Sequence, residues 1–105
     1  MMQVTQETRD GWRIVTVRGR VDSETADELE SSLQAAVSQD GKMAVDFAGV
    51  TYVSSAGLRA LIQGARAAEV KNSEFVVCSP GPSVKRVFDM SGMEHIMKVQ
   101  GKLPC

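Results

Sequence analysis

Residues that bind metals or form cross-links are scarce in this chain. Its 105 residues include two cysteines, Cys78 and Cys105, and one histidine, His95. A structural zinc site usually takes four cysteine or histidine ligands, so these residues are too few to build one. Cys78 lies in a predicted buried strand and Cys105 is the last residue, so a structural disulfide is not expected. We therefore expect no metal and no cofactor, and we assign Cys78 to the core.

Net charge and long apolar segments are also lacking. Lysine and arginine number 12 and aspartate and glutamate 13, which leaves a net charge of −1 and no field that would attract nucleic acid. No apolar stretch approaches the roughly 20 residues of a membrane-spanning helix. Residues 1–7 lack the basic and apolar regions of a signal peptide. We expect a cytoplasmic protein that binds neither nucleic acid nor membrane.

The length and the apolar content indicate one folded unit. A chain of 105 residues with 43% hydrophobic residues can bury one core but not two. We therefore interpret residues 1–105 as a single domain, with a frayed tail over residues 100–105.

The first part of the chain predicts a hairpin and a helix. Strands over residues 4–7 and 12–18 flank Asp10-Gly11, a strong signal for a two-residue turn, so they should pair antiparallel. Asp22 or Ser23 can cap a helix that runs to about Ser38. The inner face of this helix is formed by Ala26, Leu29, Leu33 and Val37. Its opposite face is acidic and solvated, and is formed by Glu24, Asp27, Glu28 and Glu30.

Strands and helices alternate from residue 43 onward. The predicted elements are strands at 43–47, 75–78 and 96–99, a helix from Ser54 to residues 70–72, and a helix from 79–82 to Gly92. Such alternation favours parallel strands. The predicted architecture is α/β, a mixed sheet of four or five strands with helices packed mainly on one side.

The centre of the chain places two hydroxyl groups at a helix start. After the strand at 43–47 and a compact loop, Ser54 and Ser55 open a helix. One serine can cap the unpaired backbone N–H groups, which leaves the other at the surface beside the positive end of the helix dipole. The residues of this helix predicted to face the core are Leu58, Leu61, Ile62 and Ala65, and those predicted to face solvent are Arg59, Gln63 and Arg66.

Catalytic motifs are absent from the same region. Residues 54–57, Ser-Ser-Ala-Gly, lack the Gly-x-Ser-x-Gly pattern of a hydrolase nucleophile, and His95 is expected at the surface or at a sheet edge rather than beside Ser55. No Gly-x-x-x-x-Gly-Lys-Ser/Thr run exists to bind a nucleotide. We predict that the protein is not an enzyme. Ser55 can instead be the substrate of another enzyme, because a phosphate there would meet a favourable dipole.

Residues 46–58 carry a family resemblance. Their sequence, Asp-Phe-Ala-Gly-Val-Thr-Tyr-Val-Ser-Ser-Ala-Gly-Leu, resembles the signature of anti-sigma factor antagonists, the single-domain branch of the STAS family. The usual form is Asp-Leu-Ser-x-Val-x-Phe-Ile-Asp-Ser-Ser/Thr/Ala-Gly-Leu, in which the serine after the second aspartate is phosphorylated. That serine is Ser55 here, and Ser54 departs from the family by replacing the aspartate. Residues 19–22, Gly-Arg-Val-Asp, are similar to a second family motif, and the resemblance covers residues 4–99.

The resemblance implies a switch between partners. The partner would be an anti-sigma factor that is also a GHKL-type serine kinase. It would bind the unphosphorylated protein and thereby release its sigma factor, and a PP2C-type phosphatase would regenerate the active form. The candidate partner-binding residues are Asp22, Ser54, Ser55, Ala56, Gly57 and Arg59, with Ser55 as the phosphorylation site. Asp22 keeps its alternative role as a helix cap, and both roles are compatible.

Another function remains open within the same resemblance. STAS domains also serve as binding subunits of lipid-transport complexes and as scaffold modules in stress-signalling assemblies. Neither role requires a serine that can be phosphorylated, so transfer of phosphate to Ser55 discriminates between the alternatives.

Overall fold

The chain begins with an antiparallel hairpin. In the computed structural model, which describes residues 1–104, strand β1 (Met2–Arg9) pairs with β2 (Trp12–Val21). The turn residues Asp10 and Gly11 have φ of 53° and 83°. Two consecutive positive φ values fit a type I′ turn, whose twist matches that of the flanking strands. The predicted hairpin is confirmed, and both strands are longer than predicted.

Three further strands extend the sheet in parallel. They are β3 (Lys42–Val53), β4 (Glu74–Cys78) and β5 (Lys98–Gln100), and the sheet order is β1-β2-β3-β4-β5. The connections contain α1 (Ala26–Ala36), α2 (Ser55–Val70) and α3 (Pro82–Ser91), and a short 3₁₀ helix, Met93–His95, follows α3. This confirms the predicted α/β fold with a five-stranded mixed sheet. The predicted helix ends at Val70 and Gly92 are also confirmed, Gly92 capping α3 with a φ of 74°.

The main core lies between one face of the sheet and the three helices. Phe47 on β3 and Phe88 on α3 are fully buried, with ring centroids 5.9 Å apart. Burying a large apolar side chain contributes roughly 1.5–3 kcal/mol, so this cluster dominates the stability of the fold. Further members of the cluster come from every helix and from strands β2, β3 and β4: Val15, Val17, Leu29, Leu33, Val45, Leu61, Val77 and Val84.

A smaller apolar cluster covers the opposite face of the sheet. Its buried members are Ala44, Val76 and Cys78, and Trp12 and Leu103 pack against them. The core position predicted for Cys78 is confirmed, whereas the predicted absence of a disulfide involves residue 105, which lies outside the described residues. Gln100 at the start of the tail belongs to the last strand of the sheet and Leu103 packs against this cluster, and fraying of the tail stays a prediction.

Strand β3 is longer than the sequence suggested. The predicted strand is an apolar run that stops at residue 47 because Ala48-Gly49 follows it, but the strand continues to Val53. The register of β3 against β2 shifts twice, between Thr16 and Arg18 and between Gly19 and Arg20. Each shift adds one residue to β3, and such bulges change which face a side chain takes. Residues 48–53 are therefore strand rather than the compact loop predicted for them.

Two other predicted element starts are wrong. Helix α1 begins at Ala26 and its N-cap position is Thr25 rather than Asp22 or Ser23, because residues 22–25 form a separate turn before it. Strand β5 begins at Lys98 rather than at residue 96, because Ile96 and Met97 form a turn that follows the 3₁₀ helix. Ile96 consequently stays 52% exposed.

The buried face of α2 is rotated from the predicted one. Of the four residues predicted to face the core, Leu61 is fully buried, and Leu58, Ile62 and Ala65 are only partly covered. The fully buried positions are instead mostly small: Gly57, Ala60, Gly64 and Ala68. A Cβ on Gly64 would lie 2.7 Å from Cδ1 of Leu33, so small residues allow α1 and α2 to approach closely. Arg59 and Arg66 are exposed as predicted, and Gln63 is half-buried.

Candidate functional site

The ends of β2 and β3 bring the two sequence motifs together. Val21 and Val53 are register partners, and the backbone N–H of Ser54 donates a 2.9 Å hydrogen bond to the carbonyl of Val21. Because β2 and β3 are parallel, the segments that follow them leave the sheet at the same end of the strands. Asp22 therefore adjoins the start of α2. We call the surface formed by Asp22, Ser54, Ser55, Ala56 and Arg59 the switch surface.

Ser54 is the cap of helix α2. Its backbone is extended, with φ −96° and ψ 176°, and its Oγ accepts a hydrogen bond of 3.4 Å from the N–H of Gly57. Its carbonyl accepts the first helical bond, from the N–H of Leu58 at 3.0 Å. Of the two adjacent serines, Ser54 thus performs the capping task.

Ser55 is the first residue of α2 and its side chain is exposed. The first N–H groups of a helix have no partner within the helix, and together they carry a partial positive charge. The Ser55 hydroxyl therefore lies at the surface beside the end of the helix that favours an anion. Arg59, also exposed, follows one turn later on the same helix.

Gly57 is buried at the start of α2, against the ends of β2 and β3, and its predicted part in partner binding stays a prediction. A Cβ at this position would lie 2.7 Å from Cγ1 of Val21, 2.8 Å from Cγ2 of Val53 and 3.0 Å from the carbonyl oxygen of Val21. The absence of a side chain lets the helix start close against the strand ends. Gly57 thus positions Ser55, while Ala56 beside it is half-buried.

Asp22 organises the turn before α1. Its Oδ1 accepts a 3.0 Å hydrogen bond from the N–H of Glu24, and its carbonyl accepts from the N–H of Ala26 at 2.8 Å. The hydroxyl of Thr25 accepts from the N–H of Asp22 and donates to the carbonyl of Arg20, each at 3.0 Å. Asp22 therefore caps a turn rather than the helix itself. Thr25 takes the N-cap position of α1 without a side-chain capping bond.

The electrostatics of this turn keep Asp22 ionised. The Glu24 N–H is the main cause that lowers the pKa of Asp22 below its usual 3.8, with help from the Thr25 hydroxyl and the Arg20 guanidinium. Arg20 Nε lies 3.6 Å from Asp22 Oδ2, and the Asp22 side chain is 25% exposed. One carboxylate oxygen is thus held by the turn while the group still reaches the surface.

Arg20 and Tyr52 form a feature that the sequence patterns did not reveal. They are register partners on β2 and β3, and the Arg20 guanidinium carbon lies 4.3 Å from the centroid of the Tyr52 ring. Tyr52 is 42% exposed, and tyrosine and arginine are both enriched in protein interfaces. This contact depends on which residues of β2 and β3 lie opposite each other. The two bulges shift that register, so it cannot be read from the sequence.

Acidic side chains continue from this turn along α1. Glu24, Asp27 and Glu28 are exposed and Glu30 is half-buried. Asp27 and Glu28 lie in the first turn of α1, where negative charge favours the helix dipole. This arrangement agrees with the solvated acidic face that the sequence predicts.

A cleft of about 350 Å³ lies away from the switch surface. It is lined by the last turns of α2, the start of β4 and Ile96 and Met97, and it contains none of the residues of the switch surface. Separately, among residues 1–104 no helix is both long and apolar enough to cross a membrane.

The fold and the site define a small α/β domain that presents a serine at the start of its central helix, beside an acidic turn. The STAS domain model matches residues 3–103. The chain therefore belongs to the STAS domain family.

Similar proteins carry names that point to one activity. BtrV of Bordetella bronchiseptica, whose assignment as an anti-sigma factor antagonist is itself provisional, is 34% identical over 99 residues, covering 93% of this chain and 85% of that protein. The anti-sigma F factor antagonist of Paenibacillus polymyxa is 27% identical, over 93% of this chain and 86% of its own. A crystal structure of an anti-sigma factor antagonist from Mycobacterium paratuberculosis superimposes with a TM-score of 0.87 at 25% identity, covering 98% of this chain and 88% of that one.

Proposed function

We propose that this protein is an anti-sigma factor antagonist that works by partner switching in the cytoplasm. Its unphosphorylated form binds an anti-sigma factor that is also a GHKL-type serine kinase, and the kinase then releases its sigma factor. The observation that carries the proposal is that the two serines at the start of α2 have different roles. Ser54 caps the helix, and the side chain of Ser55 is exposed. The names of the similar proteins support the same activity.

Phosphorylation of Ser55 ends the binding. The kinase transfers the γ-phosphoryl group of ATP to Ser55 Oγ, ADP leaves, and the hydroxyl proton passes to a base of the kinase. The product carries about −1.5 to −2 charges at a surface that the partner must desolvate. A loss of about 2.7 kcal/mol weakens binding roughly a hundredfold, which is enough for a switch. A PP2C-type phosphatase restores the hydroxyl by hydrolysing the phosphoester with water.

The partner binds the switch surface. Asp22 contributes a carboxylate that stays ionised at neutral pH, Ser54, Ser55 and Ala56 contribute the start of the helix, and Arg59 contributes an exposed cation. Gly57 supports this surface from beneath by keeping α2 close to Val21. Residues 1–105 act as one domain that catalyses no reaction, so the output depends on the concentration of unphosphorylated protein.

A phosphorylation assay tests the proposal. The protein is incubated with ATP and the purified GHKL-type kinase encoded in the same genome, and the site is mapped by mass spectrometry. We expect phosphate on Ser55, none on Ser55→Ala, and an unchanged site in Ser54→Ala. Adding the protein to a preformed sigma–anti-sigma complex should release sigma in proportion to the amount added.

Two results would contradict the proposal. Complete release at a small fraction of one equivalent would indicate catalysis. No phosphorylation and no release at any concentration would favour a binding subunit of a lipid-transport or stress-signalling complex.

A further inference from the structure

We propose that the Arg59 guanidinium donates hydrogen bonds to the phosphate on Ser55, so that phosphorylation withdraws this guanidinium from the partner as well as adding negative charge. The inference rests on the proposed modification of Ser55 and goes beyond it. It assigns to one residue of this chain the task of holding the phosphorylated state.

The helix geometry supports the pairing. Ser55 is the first residue of α2 and Arg59 lies four residues later, so their Cβ atoms lie about 5–6 Å apart on one face. An acid that precedes a base by four residues has the more favourable of the two orientations. Both side chains are exposed, so no packing contact has to break for the two groups to meet.

Within residues 1–104, the Arg59 side chain has no competing partner in the unmodified protein. None of the ion pairs found within residues 1–104 involves it. Arg20, the other cation near the switch surface, is stacked on Tyr52 and paired with Asp22. Among these cations, Arg59 is therefore the one whose donors are available to a new anion.

The neighbouring charges favour the same arrangement. The acids of the adjoining turn and of the packed helix α1 are Asp22, Glu24, Asp27, Glu28 and Glu30, and the cations at the end of β2 and in the first two turns of α2 are Arg20 and Arg59. The residue directly before Ser55 is Ser54, a neutral cap, where the usual family motif has aspartate. A phosphate on Ser55 thus lacks a carboxylate on the residue directly before it, and Asp22, the acid across the strand ends, is already paired with Arg20.

The pairing changes two charges at once. Before modification the switch surface offers Arg59 to a carboxylate of the partner through a planar fork of donors. After modification the same fork turns to phosphate oxygens of its own helix. The partner therefore loses a cation and meets an anion, which sharpens the switch beyond repulsion alone.

A phosphorus NMR titration tests the inference without any kinase or partner. Phosphoserine is placed at residue 55 by genetic encoding, and the midpoint of its second ionisation, normally near pH 6, is followed by the ³¹P chemical shift. Arg59 favours the dianion, so Arg59→Gln should raise the midpoint by about 0.2–0.4 pH units. Arg59→Lys should give a smaller rise, because it keeps the charge but loses the fork.

Two further variants make the test specific. Arg66→Gln removes an exposed cation of the same helix seven residues beyond Arg59, about 10 Å along the axis, and should leave the midpoint unchanged. Ser54→Asp should raise the midpoint by adding a neighbouring negative charge. An unchanged midpoint in Arg59→Gln, or an equal rise in Arg66→Gln, would overturn the inference. Either result would leave the proposed function standing, since the phosphate is installed without a kinase.

Discussion

The N–H of Ser54 donates to the carbonyl of Val21 across 2.9 Å, and this bond joins the two motifs of the chain at the point where both strands end. Asp22 follows Val21 directly, and Ser55 follows Ser54. The turn that holds an ionised carboxylate is therefore fixed beside the helix start that presents the hydroxyl. Because the bond lies at the end of a parallel strand pair, the two bulges in β3 are what bring these residues into register.

Because Ser54 caps α2, replacing Ser54 and replacing Ser55 by alanine should lower the free energy of unfolding by different amounts. Ser54→Ala should lower the free energy of unfolding by about 0.5–2 kcal/mol, toward the lower end because the N···O distance of its capping bond is a long 3.4 Å. Ser55→Ala is the matched control and should change it by less than about 0.5 kcal/mol. Urea denaturation of both variants measures the difference. Equal losses, or a larger loss in Ser55→Ala, would show that the capping assignment is wrong.

Close packing at Gly57 predicts a steric effect. Gly57→Ala adds a Cβ within 2.7 Å of a Val21 methyl group and 3.0 Å of its carbonyl oxygen. Alanine is the better helix former by roughly 1 kcal/mol, but overpacking costs about 1–3 kcal/mol, so we expect a net loss of stability. Gly101→Ala, where a Cβ would meet no atom within 4 Å, is the control and should cost little. A Gly57→Ala variant as stable as the wild type would contradict this packing.

The order and type of the elements could be predicted because their signals are local. Asp10-Gly11 specified the hairpin, and the paired serines marked the start of the central helix. The end of β3 could not be predicted, because its bulges depend on how it pairs with β2. The stacking of Arg20 on Tyr52 depends on the same register and was hidden for the same reason.

The start of α1 illustrates a different limit. Asp22 accepts a backbone hydrogen bond from two residues ahead, which closes a turn, and a helix cap uses the same side-chain chemistry. The sequence therefore identified the right residue for the wrong element. The helix itself begins only at Ala26.

Asp22 should affect partner binding through its charge. Asp22→Asn keeps an oxygen that can accept from the Glu24 N–H but removes the charge, whereas Asp22→Ala removes both. We expect both variants to blunt the release of sigma at neutral pH, and only Asp22→Ala to lower the melting temperature clearly. Release titrations beside thermal melts measure the two effects. Normal release by Asp22→Asn would exclude a role for the charge.

The depressed pKa of Asp22 makes the stability of the protein depend on pH in the acid range. The contribution of its ionised form to stability is complete above 3.8, the usual value, and is lost as the pH falls through the lower pKa of the folded state. Stability measured from pH 5 downward should thus fall less steeply in Asp22→Asn than in the wild type. Parallel curves would show that the carboxylate contributes nothing to the folded state.

Negative charge at residue 55 should separate folding from binding. Ser55→Glu and Ser55→Asp place a carboxylate at the first position of α2, where the dipole favours it by about 0.3–1 kcal/mol, so both variants should melt at or slightly above the wild-type temperature. The same charge opposes the partner, so calorimetric titration with the kinase should show much weaker binding. Ser55→Gln is the control for size without charge and should bind more tightly than Ser55→Glu. Equal affinity of these two variants would mean that bulk rather than charge operates the switch, and a collapsed melting temperature would mean that Ser55 is not at the surface.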